Sequence, residues 1–73
     1  MTKNKIKETA LDILQTSLNE LQWCNDEKEI ELAYSILDAQ IDLLVEIDML
    51  EEDRVKDIWQ EAEENIKHCR ENF

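Results

Sequence analysis

The sequence predicts an all-α fold: an up-down-up three-helix bundle with helices near 3–24, 27–49 and 53–72 and the middle helix central. Three observations predict it. Glycine and proline are both absent, and sheets, tight hairpin turns and phosphate-cradling loops usually need them. Apolar residues recur with helical periodicity in three successive stretches. The breaks between the stretches are short, which makes successive helices antiparallel neighbours. The first and third helices then run parallel, so Cys24 and Cys69 fall at the same end. At 73 residues the chain reads as a single helical domain, 1–73.

The first stretch opens with Lys3, Lys5 and Lys7, the only basic cluster. Thr2 is the candidate cap there, although lysines at a helix N-terminus oppose the dipole. Ile6, Ala10, Ile13, Leu14, Ser17, Leu18, Leu21 and Cys24 line one face, with Leu11 at its margin. Glu8, Asp12, Gln15, Asn19 and Gln22 take the other. Trp23 breaks the pattern and projects roughly opposite Leu14 and Leu18. Asn25 is the expected stop in the absence of glycine. Asp26-Glu27-Lys28-Glu29 follows as a capping box that starts the second helix.

The middle helix carries two apolar lines. Ile30, Ala33, Leu37, Ile41 and Leu44 form the first, and Leu32, Ile36, Ala39, Leu43, Ile47 and Leu50 the second. At about 100° per residue the two lie side by side over more than half the circumference, which predicts packing against two neighbours. The remaining arc holds Glu31, Ser35, Asp38, Asp42 and Glu46.

Residues 48–53 contain no glycine, yet a turn is preferred to a continuous helix. The acids at 51–53 suit the first turn of a new helix. The apolar pattern also narrows there to the stripe Val55, Ile58, Trp59, Ala62, Ile66, Cys69 and Phe73, which resembles a coiled-coil seam. The expected core is Leu14, Leu18, Leu21, Leu37, Ile41, Leu44, Ile58, Ala62 and Ile66.

A net charge of −11, from 19 acids and 8 bases, is large for this size. It argues against direct contact with nucleic acid or an anionic membrane and for attraction to basic surfaces. The 42% hydrophobic content and clean periodicity argue against disorder. Two cysteines make no disulfide framework, and no stretch reads as a signal peptide or membrane span. A cytoplasmic protein with reduced thiols is the expectation.

Catalysis finds little support. His68, the only histidine, neighbours Cys69, but adjacent helical residues point about 100° apart, and no orienting group or oxyanion-hole loop accompanies them. Metal binding would need four close ligands, whereas Cys24, Cys69 and His68 are scattered. No enzyme activity, metal or cofactor is expected, and the cysteines read as small buried hydrophobes.

The acidic arc is the clearest functional signal. Residues 29–53 contain nine acids and no base. Glu31, Asp38, Asp42 and Glu46 climb one face at about 6 Å per four residues, near the phosphate spacing of a nucleic-acid strand. Such a series imitates a nucleic-acid backbone, or it is only a solvated face. Trp23 and Tyr34 are the candidate aromatic anchors, although Trp23 has a second reading as a cover for the interhelical turn. The expected partner-binding set is therefore Glu31, Asp38, Asp42, Glu46, Trp23 and Tyr34. The expected function is a small non-enzymatic regulator or inhibitor of a larger protein with a basic surface, of the size and composition seen in small acidic helical proteins of bacteria and phages. The alternative is a structural protein that forms a homodimer through leftover apolar surface, the seam of the third helix being its interface.

Overall fold

Three helices, α1 (Lys3–Glu20), α2 (Glu27–Glu46) and α3 (Glu52–Glu71), make up the computed structural model, which describes residues 3–72. They form the predicted all-α bundle, and among the described residues there is no strand. Thr2, the candidate first cap, and Phe73, the last member of the third stripe, lie outside the described residues.

Each helix end has a local cause. The outward hydroxyls of α1 turn onto their own backbone: Thr9 Oγ1 donates to the Lys5 carbonyl and Thr16 Oγ1 to that of Asp12, both at 3.0 Å. After Glu20 the helix tightens into a 3-10 turn, Leu21–Trp23, and Cys24 becomes extended (φ −66°, ψ 144°). Asn25 is thus not the left-handed stop the sequence suggests. The tightened turn holds Leu21 fully inside the core while releasing the chain, so no left-handed residue is needed.

The capping box forms. Asp26 accepts the Glu29 N–H at 2.8 Å, and Glu29 Oε2 accepts the N–H of Asn25 at 2.6 Å, one residue farther back than the usual return bond. At its other end α2 stops three residues short of the expected 49. The Asp48 N–H donates to the Val45 carbonyl at 3.1 Å and the Met49 N–H to that of Leu44 at 2.8 Å. This is a Schellman motif with Asp48 at φ 61° in the place glycine normally fills. Leu50 N–H joins the same Leu44 carbonyl at 3.1 Å, which tucks Leu50 beneath the bundle. The turn in 48–53 is therefore real. Glu52 and Asp53 open α3, and His68 and Arg70 close it, each sign matching the helix dipole.

Eleven residues form the buried core: Leu14, Leu18, Leu21, Ile30, Leu37, Ile41, Leu44, Leu50, Ala62, Ile66 and Cys69. Eight of the nine expected core residues are among them. Ile58 is the exception, half-buried at an open α1–α3 groove beside Gln15, Arg54 and Asp57. Polar bonds fix how the helices sit. Gln15 Nε2 donates to Glu61 Oε2 at 3.0 Å, Asn65 Nδ2 to the Leu18 carbonyl at 2.9 Å, and the Cys69 thiol to the Cys24 carbonyl at 2.8 Å. The last bond shows Cys24 and Cys69 at one end, with α1 and α3 parallel.

A further expectation is corrected. Helix α2 packs on its neighbours through its first apolar line, with Tyr34 and Val45 at the margin of that line, and not through its second. In the second line Leu32 is 65% exposed, Leu43 57%, Ile36 49% and Ile47 49%; Ala39 is exposed as well, and only Leu50 is buried. In a three-helix bundle both neighbours lie toward one axis, so a helix buries one arc and an arc twice as wide is left half uncovered.

Candidate protein-binding surface

The exposed line of α2 and its acidic arc form one continuous outward surface. Leu32, Ile36, Leu43 and Ile47 fall within about 60° of one another around the helix, and the acidic arc is centred about 100° farther round. Glu31, Ser35, Asp38, Asp42 and Glu46 are all exposed. Among the described residues none of the four acids has a hydrogen bond or an ion pair. Lys67 and Arg70 of α3 line the same groove as Glu31 without an ion pair to it: Arg70 instead grips Glu27 through two bonds, Nε–Oε1 at 2.7 Å and Nη2–Oε2 at 2.9 Å. That bidentate bond holds the Glu27 carboxyl below its ordinary range and raises the Arg70 guanidinium above its own.

On the far side of the acidic arc runs the α2–α3 seam. Tyr34 lies over Trp59 with ring centroids 4.9 Å apart and planes tilted by 34°. Glu31 lines a groove with Ile30, Tyr34 and Ile66 on one side of this pair. Asp42 and Glu46 line a second groove with Val55 and Trp59 on the other. The aromatic partner of the lower acids is thus Trp59, which the sequence reading spent on the seam of the third helix.

Trp23 stands apart. It is 76% exposed at the end of the bundle, among Gln22, Cys24, His68, Cys69 and Asn72, and lines no groove with an acid of the arc. So exposed a ring does not cover the interhelical turn. The structure brings Glu31 together with Tyr34, sets Asp38, Asp42 and Glu46 along the same helix face, and leaves Trp23 elsewhere.

Sequence reasoning missed the apolar half of this surface because it assigned the second line of α2 to the core. The signal was present in the width of the apolar arc. On α1, Ile6 and Ile13 are also 44% and 53% exposed. They lie about 160–180° from Gln15, the residue that bonds α3, and so occupy the flank turned away from α3. The α2 line lies about 140–180° from Tyr34, its own contact with α3. The antiparallel α1–α2 hairpin therefore sets both exposed lines on one face. Gln40 is half-buried between Ile36 and Leu43 in sequence, and its buried side-chain oxygen has no donor among the described residues.

At the Cys24–Cys69 end, burial is the first cause that raises the Cys24 thiol above its ordinary value, with the Cys69 charge next. Among the described residues no three His, Cys, Asp or Glu side chains converge as metal ligands, and no helix is long and apolar enough to cross a membrane. The chain matches no protein-family model, no curated protein and no solved structure, so the surface is read from its own chemistry.

Proposed function

We propose that the chain is a non-enzymatic protein-binding module, a cytoplasmic regulator or inhibitor that occupies a basic surface of a larger protein. One observation carries this reading. Glu31, Asp38, Asp42 and Glu46 stand exposed on one helix face without a bond to any described residue, in a chain of net charge −11. Like charges at four-residue spacing cost the isolated helix stability, and a basic partner turns that cost into attraction. A partner whose basic groove normally holds nucleic acid fits the series best, because Asp38, Asp42 and Glu46 rise by about 6 Å each, near the distance between neighbouring phosphates, with Ser35 leaving one step uncharged before Glu31.

The test takes the protein captured from a lysate and measures its association rate with the parent chain and with Asp38→Asn/Asp42→Asn, at two ionic strengths. The reading expects slower association for the variant and a flatter dependence on salt. Equal rates and equal slopes would reduce the arc to a solvated surface. A second reading, a homodimer, is favoured by the exposed aliphatic line of α2 and no longer by the α3 seam, which is spent on the intramolecular core. Sedimentation at micromolar concentration separates the two.

A further inference from the structure

We infer that the apolar face shared by α1 and α2 is a docking site for one amphipathic helix of the partner, with basic residues along a single flank of that helix. The inference rests on the proposed function and names the partner's shape and chemistry.

Three features point to it. The exposed aliphatic positions along α2 and its C-cap, namely 32, 36, 39, 43 and 47, are spaced by four, three, four and four residues, the seam spacing into which another helix packs. Ala39 sits at the centre of that line, where a small side chain lets a second backbone approach. Ile6 and Ile13 supply the opposite wall, one seven residues from the other. A helix lying between the two walls would complete a four-helix arrangement and cover all six large aliphatic side chains.

The rims decide the occupant. Along α2 the face is bounded by Lys28 at its start and then by Glu31, Asp38, Asp42 and Glu46, all exposed, the four acids without a described partner. Along α1 it is bounded by Thr9 and Thr16, whose hydroxyls are already turned onto their own backbone, and at the end of the helix by Glu20. The α2 rim carries four acids against one base and the α1 rim a single acid, so a complementary helix carries its Lys or Arg chiefly on one side of its apolar stripe. A second copy of this chain would instead bring a further −11 to an acidic face.

The test uses a synthetic amphipathic peptide of about three heptads, with a Leu seam and Lys along one flank. A matched peptide carries Glu in place of Lys. Titration calorimetry compares the parent chain with Ile36→Ser/Leu43→Ser, which leaves every charge in place. Both substituted side chains are exposed, and circular dichroism checks that the helices persist. The inference expects one peptide per chain and binding at least about tenfold weaker for the serine variant, as when interface anchors are truncated. The Glu peptide is expected not to bind.

Undiminished binding of the Lys peptide by the serine variant would mean bare charge attraction, and the docking face would be abandoned while the acidic arc stood. Loss on Asp38→Asn/Asp42→Asn but not on Ile36→Ser/Leu43→Ser has the same meaning. No binding of the Lys peptide at millimolar concentration would overturn the inference. So would a parent dimer that sedimentation finds at micromolar concentration, that Ile36→Ser/Leu43→Ser dissociates and that the peptide does not displace, because the face would then belong to a second copy.

Discussion

Tyr34 and Trp59 face each other across the α2–α3 seam, their ring centroids 4.9 Å apart. The pair joins the two helices at the edge of the core, between two grooves that are each edged by acids from α2. Tyr34 remains 42% exposed, so one side packs on Trp59 while the other meets solvent. Replacing Tyr34 by Ala should cost ~0.5–1.5 kcal/mol beyond the lost area, as aromatic pairs do. Thermal melts of the single and double variants with Trp59→Leu would isolate the coupling, and an additive pair would mean the rings do not interact.

The two apolar lines of α2 make opposite predictions. Leu37 is fully buried and Leu44 only 7% exposed, so either residue changed to Ala should cost ~2–5 kcal/mol. Leu43, one residue from Leu44 and 57% exposed, should lose less than ~0.5 kcal/mol on the same change. Denaturant melts compare them directly. Equal losses at 43 and 44 would mean that the second line is covered.

Asp48 offers a gain. An L-residue in the left-handed region at φ 61° is strained by ~1–2 kcal/mol, which glycine avoids. Asp48→Gly should raise stability by up to ~1 kcal/mol after its greater unfolded-state entropy is deducted, while Asp48→Val should lower it. The melting temperatures of the two variants should bracket that of the parent.

The Arg70–Glu27 bond makes stability depend on pH. Its folded-state carboxyl titrates below the ordinary value, so the folded chain gives up that proton more readily than the unfolded one. The contribution is present above the ordinary carboxylate value and is lost as pH falls through the depressed one. Both side chains are more than half exposed, which keeps the effect small. Melting Glu27→Gln beside the parent across the acid range should show a deficit at neutral pH that closes in acid. A deficit unchanged in acid would assign the loss to packing.

The cysteines should react in sequence. Cys69 is 2% exposed and bonded to the Cys24 carbonyl, while Cys24 is half-buried with its thiol pushed up by burial. Iodoacetamide should modify Cys24 first, slowly at neutral pH and faster as pH rises toward its raised value, because the thiolate is the nucleophile. Peptide mapping of partly modified chains reads the order. Cys69 labelling as fast as Cys24 would show that this end of the bundle opens.

Much of this was legible in the residues themselves. Helix periodicity, the Asp26–Glu29 box, the Leu37–Ile41–Leu44 core and the acidic arc are properties of neighbours within one or two turns, and local sequence determines them. The parallel course of α1 and α3 follows from short connections, and the Cys69–Cys24 bond realises it. What the sequence could not decide was coverage. Both lines of α2 are equally apolar, and whether Leu43 or Leu44 is buried depends on where two other helices lie in space. The tertiary structure put both neighbours on the Leu44 side and left the Leu43 side facing outward beside Glu31, Asp38, Asp42 and Glu46. It likewise gave Tyr34 to Trp59 and left Trp23 alone at the bundle end. An apolar side chain is favoured wherever it is shielded from water, but the shield is built by residues far away in the chain.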